Sequence, residues 1–349
     1  MRIAVLHPQT AFVRGGAELH AEALIRALRD AGHEADLVTI AGNWYPPTEL
    51  AHQMAVWRSF DISESDGRKV DAVVALKFPA YLAPHERKIV WLIHQHRSAY
   101  ELWDHPEFAD LSRQEGGETV RRLIWNADRL ALGEAKRIYT NSQNVADRLW
   151  SSLRLPGTPL YHRSPATDAL LAHTPRDLGD YVFYPSRMDL IKRHSLAVEA
   201  MRHVRTPVQL VLAGRGNEER PLREQVRRLG LEKRVRIEVG ISDDQLLERY
   251  LGSLGAFFGA FDEDFGYVPL EAFAAARPVV TLADSGGALE FVTDHETGLV
   301  VTPQPEAVAD AFDRLWEERD VAARWGAAGR DVVLERVPAW PEIVEQLLG

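Results

Sequence analysis

Apolar residues along this chain follow two rhythms. Short apolar runs alternate with stretches in which apolar positions recur every third or fourth residue, the pattern of buried strands followed by amphipathic helices. Residues 3–6 form the first such run. A glycine-containing loop follows, and residues 18–30 place Leu19, Ala23, Leu24, Ala27 and Leu28 on one helical face. Gly32 closes that helix. Residues 35–40 then read as a second strand, and 72–76, 89–93 and 137–141 as further buried strands. Between the last two lies a long polar and helical stretch, roughly 105–136. Strand–helix alternation of this kind predicts a parallel sheet covered on both faces.

The rhythm lapses over residues 155–180, where Pro156, Gly157, Pro159, Pro165, Pro175 and Gly179 cluster as in a linker. It then restarts, with strands at 181–185, 208–213, 235–239, 256–258, 279–282 and 298–301. Helices are expected at 194–202, 218–229, 243–251, 269–276, from 306 to 335, and at 341–348 after Trp340. The pattern predicts two Rossmann-like, doubly wound α/β domains in tandem: residues 1–165, residues 166–335, and a final helical segment, 336–349. Ligands in such folds bind at the carboxyl ends of strands, which makes the cleft between the two halves the expected site.

Charge separates the halves. Up to Arg163 there are 20 basic and 20 acidic residues, and beyond it 21 and 31, so the whole net charge of −10 sits in the second half. A net acidic chain lacks the dominant basic surface of a non-specific nucleic-acid binder. With no cysteine, disulfides, cysteine-ligated zinc, iron–sulfur clusters and thiol catalysis are excluded. The opening Met1-Arg2-Ile3-Ala4-Val5-Leu6-His7-Pro8 suits a buried first strand better than a signal peptide. No stretch reaches the roughly 18 apolar residues of a membrane span. The expected location is cytoplasmic.

The densest chemical signal is Glu263-Asp264-Phe265-Gly266-Tyr267-Val268-Pro269-Leu270-Glu271. Two carboxylates bracket a glycine turn and a helix start, whose unpaired N–H groups suit a phosphate. Glu271 fits a ribose diol and Glu263 sugar hydroxyls; an acidic loop followed by a surface helical glutamate fits the spacing equally. Arg187 and Lys192 follow a strand and fit two cations sharing a diphosphate, or a solvated loop of mixed charge. Gly15-Gly16 permits close backbone approach but does not match G-x-G-x-x-G, and Gly214-Arg215-Gly216 reads as a tight turn. His94, in His94-Gln95-His96-Arg97 at a strand end, suits a substrate hydroxyl, acid–base work or a structural role. The H-x-H spacing finds no further metal ligands. Asp262-Glu263-Asp264 matches the D-x-D of metal-dependent sugar transfer only superficially.

Taken together, Gly15-Gly16, His94, Arg187, Lys192, Glu263-x7-Glu271, Arg277-Pro278-Val279-Val280 and Ser285-Gly286-Gly287-Ala288-Leu289-Glu290 resemble the retaining nucleotide-sugar glycosyltransferases of family four, with the GT-B fold. Trp340 and the helix after it resemble the segment that crosses back to the first domain in that family. Two departures are Gly259-Ala260, where the family often has Pro-Ser, and Ala276-Arg277, where it often has Cys-Gly.

The resemblance implies that Glu271 binds the donor ribose, Glu263 the donor sugar, and Arg187 and Lys192 the diphosphate. It puts Phe265, Gly266, Tyr267 and Val268 around the sugar or phosphates. Gly15 and Gly16 would meet the diphosphate, Gly240 would lie near the nucleobase, and His94 near the reactive carbon. It further implies front-face attack, with the leaving phosphate accepting the acceptor proton, and no metal or other cofactor. UDP-sugars stand ahead of GDP-mannose as donors; the acceptor is a glycan, glycolipid or small molecule. His94, Arg97 and Tyr100, with Trp103 and Lys77-Phe78-Pro79, are expected on the acceptor side. Competing readings on the same fold are a sugar-nucleotide epimerase, a phosphorylase and a non-catalytic sugar-nucleotide-binding protein. A basic helical face with Arg121, Arg122, Trp125, Arg129, Lys136 and Arg137 fits either solvent or weak peripheral contact with an anionic membrane.

Overall fold

The computed structural model describes residues 1–349. Contacts divide the chain into two compact units, Met1–His162 with Ala339–Gly349, and Arg163–Pro338.

The first unit contains β1 (Arg2–Gln9), α1 (Gly16–Asp30), β2 (Glu34–Ala41), α2 (Pro47–Ser59), β3 (Glu64–Ser65), β4 (Arg68–Lys69) and β5 (Ala72–Ala75). It continues with β6 (Lys88–Leu92), α3 (Gly117–Gly133), β7 (Arg137–Thr140), α4 (Gln143–Leu153) and β8 (Thr158–Pro159). Apart from the small antiparallel β3–β4 hairpin, its strands form one parallel sheet in the order β2-β1-β5-β6-β7-β8. Strands β5 and β6 are buried along their whole length, as a sheet covered on both faces requires. One side packs Trp57, Tyr81 and Ile124; the other packs Leu24, Leu28 and Trp91.

The second unit contains α5 (Pro165–Leu171), β9 (Tyr181–Pro185), α6 (His194–Ala200), β10 (Gln209–Ala213), α7 (Glu219–Arg228), β11 (Val235–Glu238) and α8 (Asp243–Leu251). Then come β12 (Gly255–Phe258), α9 (Tyr267–Ala274), β13 (Val279–Leu282), β14 (Gly298–Val301), α10 (Pro305–Glu317) and α11 (Arg319–Arg336). Its parallel sheet runs β11-β10-β9-β12-β13-β14. Chain order reverses between β9 and β12, so their carboxyl ends flank a topological switch point, where open α/β sheets take their ligands. The last helix, α12 (Trp340–Leu348), returns to the first unit and buries Ile343, Val344 and Leu347 in its core.

Several elements differ from the sequence expectation. The stretch 155–180, read as a linker, holds the edge strand β8 and the helix α5, whose Thr167 and Leu170 are buried. Proline ended the visible rhythm there, yet Pro165 occupies the first helical turn, where no N–H is needed. The polar stretch 105–136 is α-helical from Gly117 to Gly133, with a 3₁₀ turn at Leu111–Arg113 before it, and α2 and α4 add to the elements expected. The helices expected from 306 to 335 are present as two, parted at Glu318. No helix is long and apolar enough to cross a membrane.

Candidate functional site

In the second unit, the loops after β9 and β12 bring Lys192 and Glu263 together. Arg187 leaves β9 half-exposed and pairs with Asp189 at 3.2 Å. A single 3₁₀ turn, Leu190–Lys192, then turns Lys192 inward, where it is 9% exposed. Its Nζ donates to Glu263 Oε2, so two residues far apart in sequence form one ion pair at the switch point.

Neighbouring loops brace this pair. The Arg193 guanidinium grips Asp284 through two nitrogens, at 2.8 and 2.6 Å, and donates to the Gly259 and Ala260 carbonyls. Bidentate geometry of this kind fixes position as well as charge. Backbone bonds run from Asp262 N to Asp284 O (2.7 Å), Glu263 N to Ser285 O (3.1 Å) and Gly287 N to Glu263 O (2.8 Å). Gly286 has φ +65°, and a Cβ there would lie 2.5 Å from the Glu263 carbonyl oxygen. The Ser285-Gly286-Gly287 motif thus lets one loop lie flat against the acidic one. Arg193 and Asp284 were missed in the sequence, where nothing marks them as partners 91 residues apart.

Helix α9 starts at Gly266 without a side-chain cap, and every residue from Val268 to Ala274 is buried. Glu271 is therefore no surface glutamate: it is 7% exposed. Ser164 Oγ donates to its Oε1 (2.6 Å) and Tyr250 OH to its Oε2 (2.7 Å). Burial pushes the Glu271 carboxyl upward, and the two hydroxyls oppose that shift. The side chains of Phe265 and Val268 are also buried, with Phe265 edge-on to Tyr267 and Phe291, so any part they play toward a ligand falls to their backbone.

Gly240 follows β11 with φ +70°, and a Cβ there would sit 2.5 Å from the Arg215 guanidinium. Gly214 and Gly216 do more than make a tight turn. A Cβ on Gly214 would meet the Ser186 carbonyl at 2.0 Å, and one on Gly216 the Met188 carbonyl at 2.3 Å. The Gly214-Arg215-Gly216 loop therefore lies directly on the Arg187 loop, and Arg215 joins the residues around Gly240. Of the two family departures, Gly259-Ala260 lies beside the ion pair, its carbonyls bonded by Arg193, whereas Arg277 is buried and donates to the Arg176 and Leu251 carbonyls.

In the first unit, Gly15 precedes α1 and its N–H donates to Glu18 Oε2 (2.8 Å). Glu18 also meets His7 (3.3 Å) and Lys77 (3.8 Å). Burial alone would raise its carboxyl, but the His7 bond, Lys77 and the Gly15 N–H together hold it down at about 2. The Gly15-Gly16 turn is thus anchored by an ionised side chain. His94, after β6, bonds through Nδ1 to the Gln95 carbonyl at 2.6 Å. His96 differs: it stacks on Trp44 (centroids 5.6 Å) and packs on Phe78 (5.3 Å), and burial pushes it down to about 4. Arg97 pairs with Glu101 at 2.7 Å.

Tyr100, expected on the acceptor side, donates its hydroxyl inward to Asp128 Oδ2 (2.8 Å). Tyr81 OH (2.8 Å) and Gln95 Nε2 (3.3 Å) bond the same carboxylate, which burial pushes up to about 6. Of the basic helical face, Arg121 lies between Trp103 and Trp125, 4.2 Å from each ring centroid. Arg122 pairs with Glu118, and Arg137 donates to the Gly349 carbonyl.

Comparison with solved structures shows that this architecture is the GT-B glycosyltransferase fold. A sucrose-phosphate synthase from Thermosynechococcus elongatus superposes with TM-score 0.75 at 19% identity, covering 99% of this chain and 97% of that one. Anabaena HepE, solved in complex with UDP and glucose, does so with TM-score 0.71 at 18% identity over 99% and 98%. Residues 173–332 match the family model described as glycosyl transferases group 1. A GDP-mannose-dependent alpha-(1-6)-phosphatidylinositol monomannoside mannosyltransferase of Mycobacterium tuberculosis is 35% identical over 161 residues, 42% of this chain and 41% of the relative. Human alpha-1,3/1,6-mannosyltransferase ALG2 is 29% identical over 168 residues, 43% and 40% of the two chains. The chain thus matches less than half the length of either relative.

Proposed function

We propose that this protein is a retaining glycosyltransferase that moves a hexose from a nucleotide-diphosphate sugar to a hydroxyl of a glycan, glycolipid or small molecule. The observation that carries the reading is the Lys192–Glu263 pair at the switch point of the second sheet. A carboxylate for sugar hydroxyls and a cation for a leaving diphosphate stand side by side there. In this reading Arg187 and Lys192 hold the diphosphate, Glu263 the sugar and Glu271 the ribose. The backbone of residues 265–268 meets the sugar or phosphates, and Gly240 lies by the nucleobase. In the first unit, Gly15, Gly16 and His94 are assigned to the donor, and Arg97 and Tyr100 to the acceptor.

The acceptor oxygen attacks the anomeric carbon on the face from which the diphosphate departs. As the bond to the phosphate oxygen breaks, that oxygen takes the acceptor proton, so no protein base is required. Positioning and cations at the departing charge lower the barrier. Lys192 and Arg187 supply the positive charge, and the reaction is proposed to need no metal.

The test is nucleoside diphosphate release by the purified protein across UDP-, ADP- and GDP-sugars with varied acceptors, with and without EDTA. Turnover is expected for one donor class, to survive EDTA, and to fall about 100-fold in Lys192→Ala. Release from no donor would refute the reading. UDP-sugars remain the first donors to try. A second donor reading, GDP-mannose, is favoured by the relative named as GDP-mannose-dependent.

A further inference from the structure

We propose that Ser164 and Tyr250 are positioning residues for nucleotide recognition: they hold the Glu271 carboxylate so that each of its oxygens presents one lone pair to the vicinal diol of a ribose. The inference rests on the reading of Glu271 as the ribose-binding group.

An ionised carboxylate offers about four lone-pair sites, two per oxygen. Ser164 takes one on Oε1 and Tyr250 one on Oε2. The bonds fall one to each oxygen, so neither is saturated and neither can rotate away without losing a partner. A vicinal diol has the matching form, two adjacent donors for two adjacent acceptors.

Both hydroxyls are themselves fixed. Ser164 is fully buried and caps α5, with its Oγ accepting the Thr167 N–H at 3.0 Å. Tyr250 is fully buried on α8, its ring edge-on to Phe183 at 5.1 Å. The carboxylate must stay ionised to accept from a diol. Burial opposes ionisation, and these two hydroxyls are what counter it. Ser164 lies in the stretch that sequence reads as a linker, which hides it from any motif.

The test is binding of UDP and GDP, each against its 2′,3′-dideoxy counterpart, to native protein, Tyr250→Phe, Ser164→Ala and Ser164→Thr. Native protein is expected to prefer the ribonucleotide. Tyr250→Phe and Ser164→Ala should each reduce that preference by roughly tenfold or more, the worth of one lost bond to a charged acceptor. Dideoxynucleotide affinity should stay unchanged, and Ser164→Thr should restore the preference. Tyr250→Phe leaves the α5 cap intact, so it reports even if Ser164→Ala folds poorly. Native protein without a ribose preference would overturn the ribose reading of Glu271 and this inference with it. A native preference that survives in both variants would overturn the positioning role alone. Equal weakening of both nucleotide types would also overturn it, because that is general loosening of the fold.

Discussion

Asp128 is wholly enclosed in the first unit, with two tyrosine hydroxyls and an amide aimed at it. Those donors favour the ionised form, yet burial outweighs them and pushes the carboxyl up to about 6. Its folded value thus lies above the unfolded value of about 3.9. The stability this group contributes is therefore present below about pH 4 and lost as pH rises through 6. Two pH units correspond to about 3 kcal/mol. The unfolding free energy of the native protein, relative to Asp128→Asn, should rise by up to about 3 kcal/mol from pH 8 to pH 4. Paired urea titrations measure this, and a pH-independent difference would sink it. Pairing matters because His162, pushed down to about 3 by burial, acts in the opposite direction below its unfolded value of about 6.5. As a residue, Tyr100 is legible in the sequence as a polar aromatic near His94. Its partner, 28 positions away on α3, is not.

Among elements, the loop from Ser285 to Gly287 shows how a motif can be read without its reason. Its spacing is visible in the chain, but its task of seating Glu263 emerges only where two loops touch. Gly286→Ala would place a Cβ against the Asp262–Glu263 backbone in a conformation that L residues rarely adopt. The variant should fold with a loss of roughly 1–3 kcal/mol and lose most turnover, because Glu263 and Lys192 separate. Thermal melts and donor turnover read both; native values for both would contradict this account. Helix α9 was hard to read for the opposite reason. It is apolar on nearly all sides, so no polar face announces that Glu271 points into the interior.

At the scale of the molecule, the chain enters the second unit at Arg163 and leaves it after Pro338. Arg163 donates two bonds to the Val337 carbonyl, at 3.0 and 2.7 Å, which ties the two crossing segments together. Helix α12 then completes the first unit, with Leu347 fully buried near the end of the chain. Leu347→Ala should cost about 2–5 kcal/mol. The loss should fall on the first unit, as hydrogen exchange of β1 and β6 amides would show. Unchanged protection there, with loss confined to α12, would mean that the last helix is only an accessory. The acidic excess of the second half does not prevent a cation from sitting at its switch point: Lys192 is held locally by Glu263, and Arg193 by Asp284.

The alternation of apolar runs and amphipathic stretches sufficed to specify two parallel sheets, because burial on both faces leaves a periodic trace in any strand or helix. The charged motif residues could be named for the same local reason: their types and spacing lie within one or two elements. Tertiary structure decided what each group is bonded to. Ser164 reaches Glu271 across 107 positions, Lys192 reaches Glu263 across 71, and Tyr100 turns to Asp128. Such pairings arise where crossover connections bring distant strand ends to one edge of a sheet, and the intervening chain carries no record of that distance.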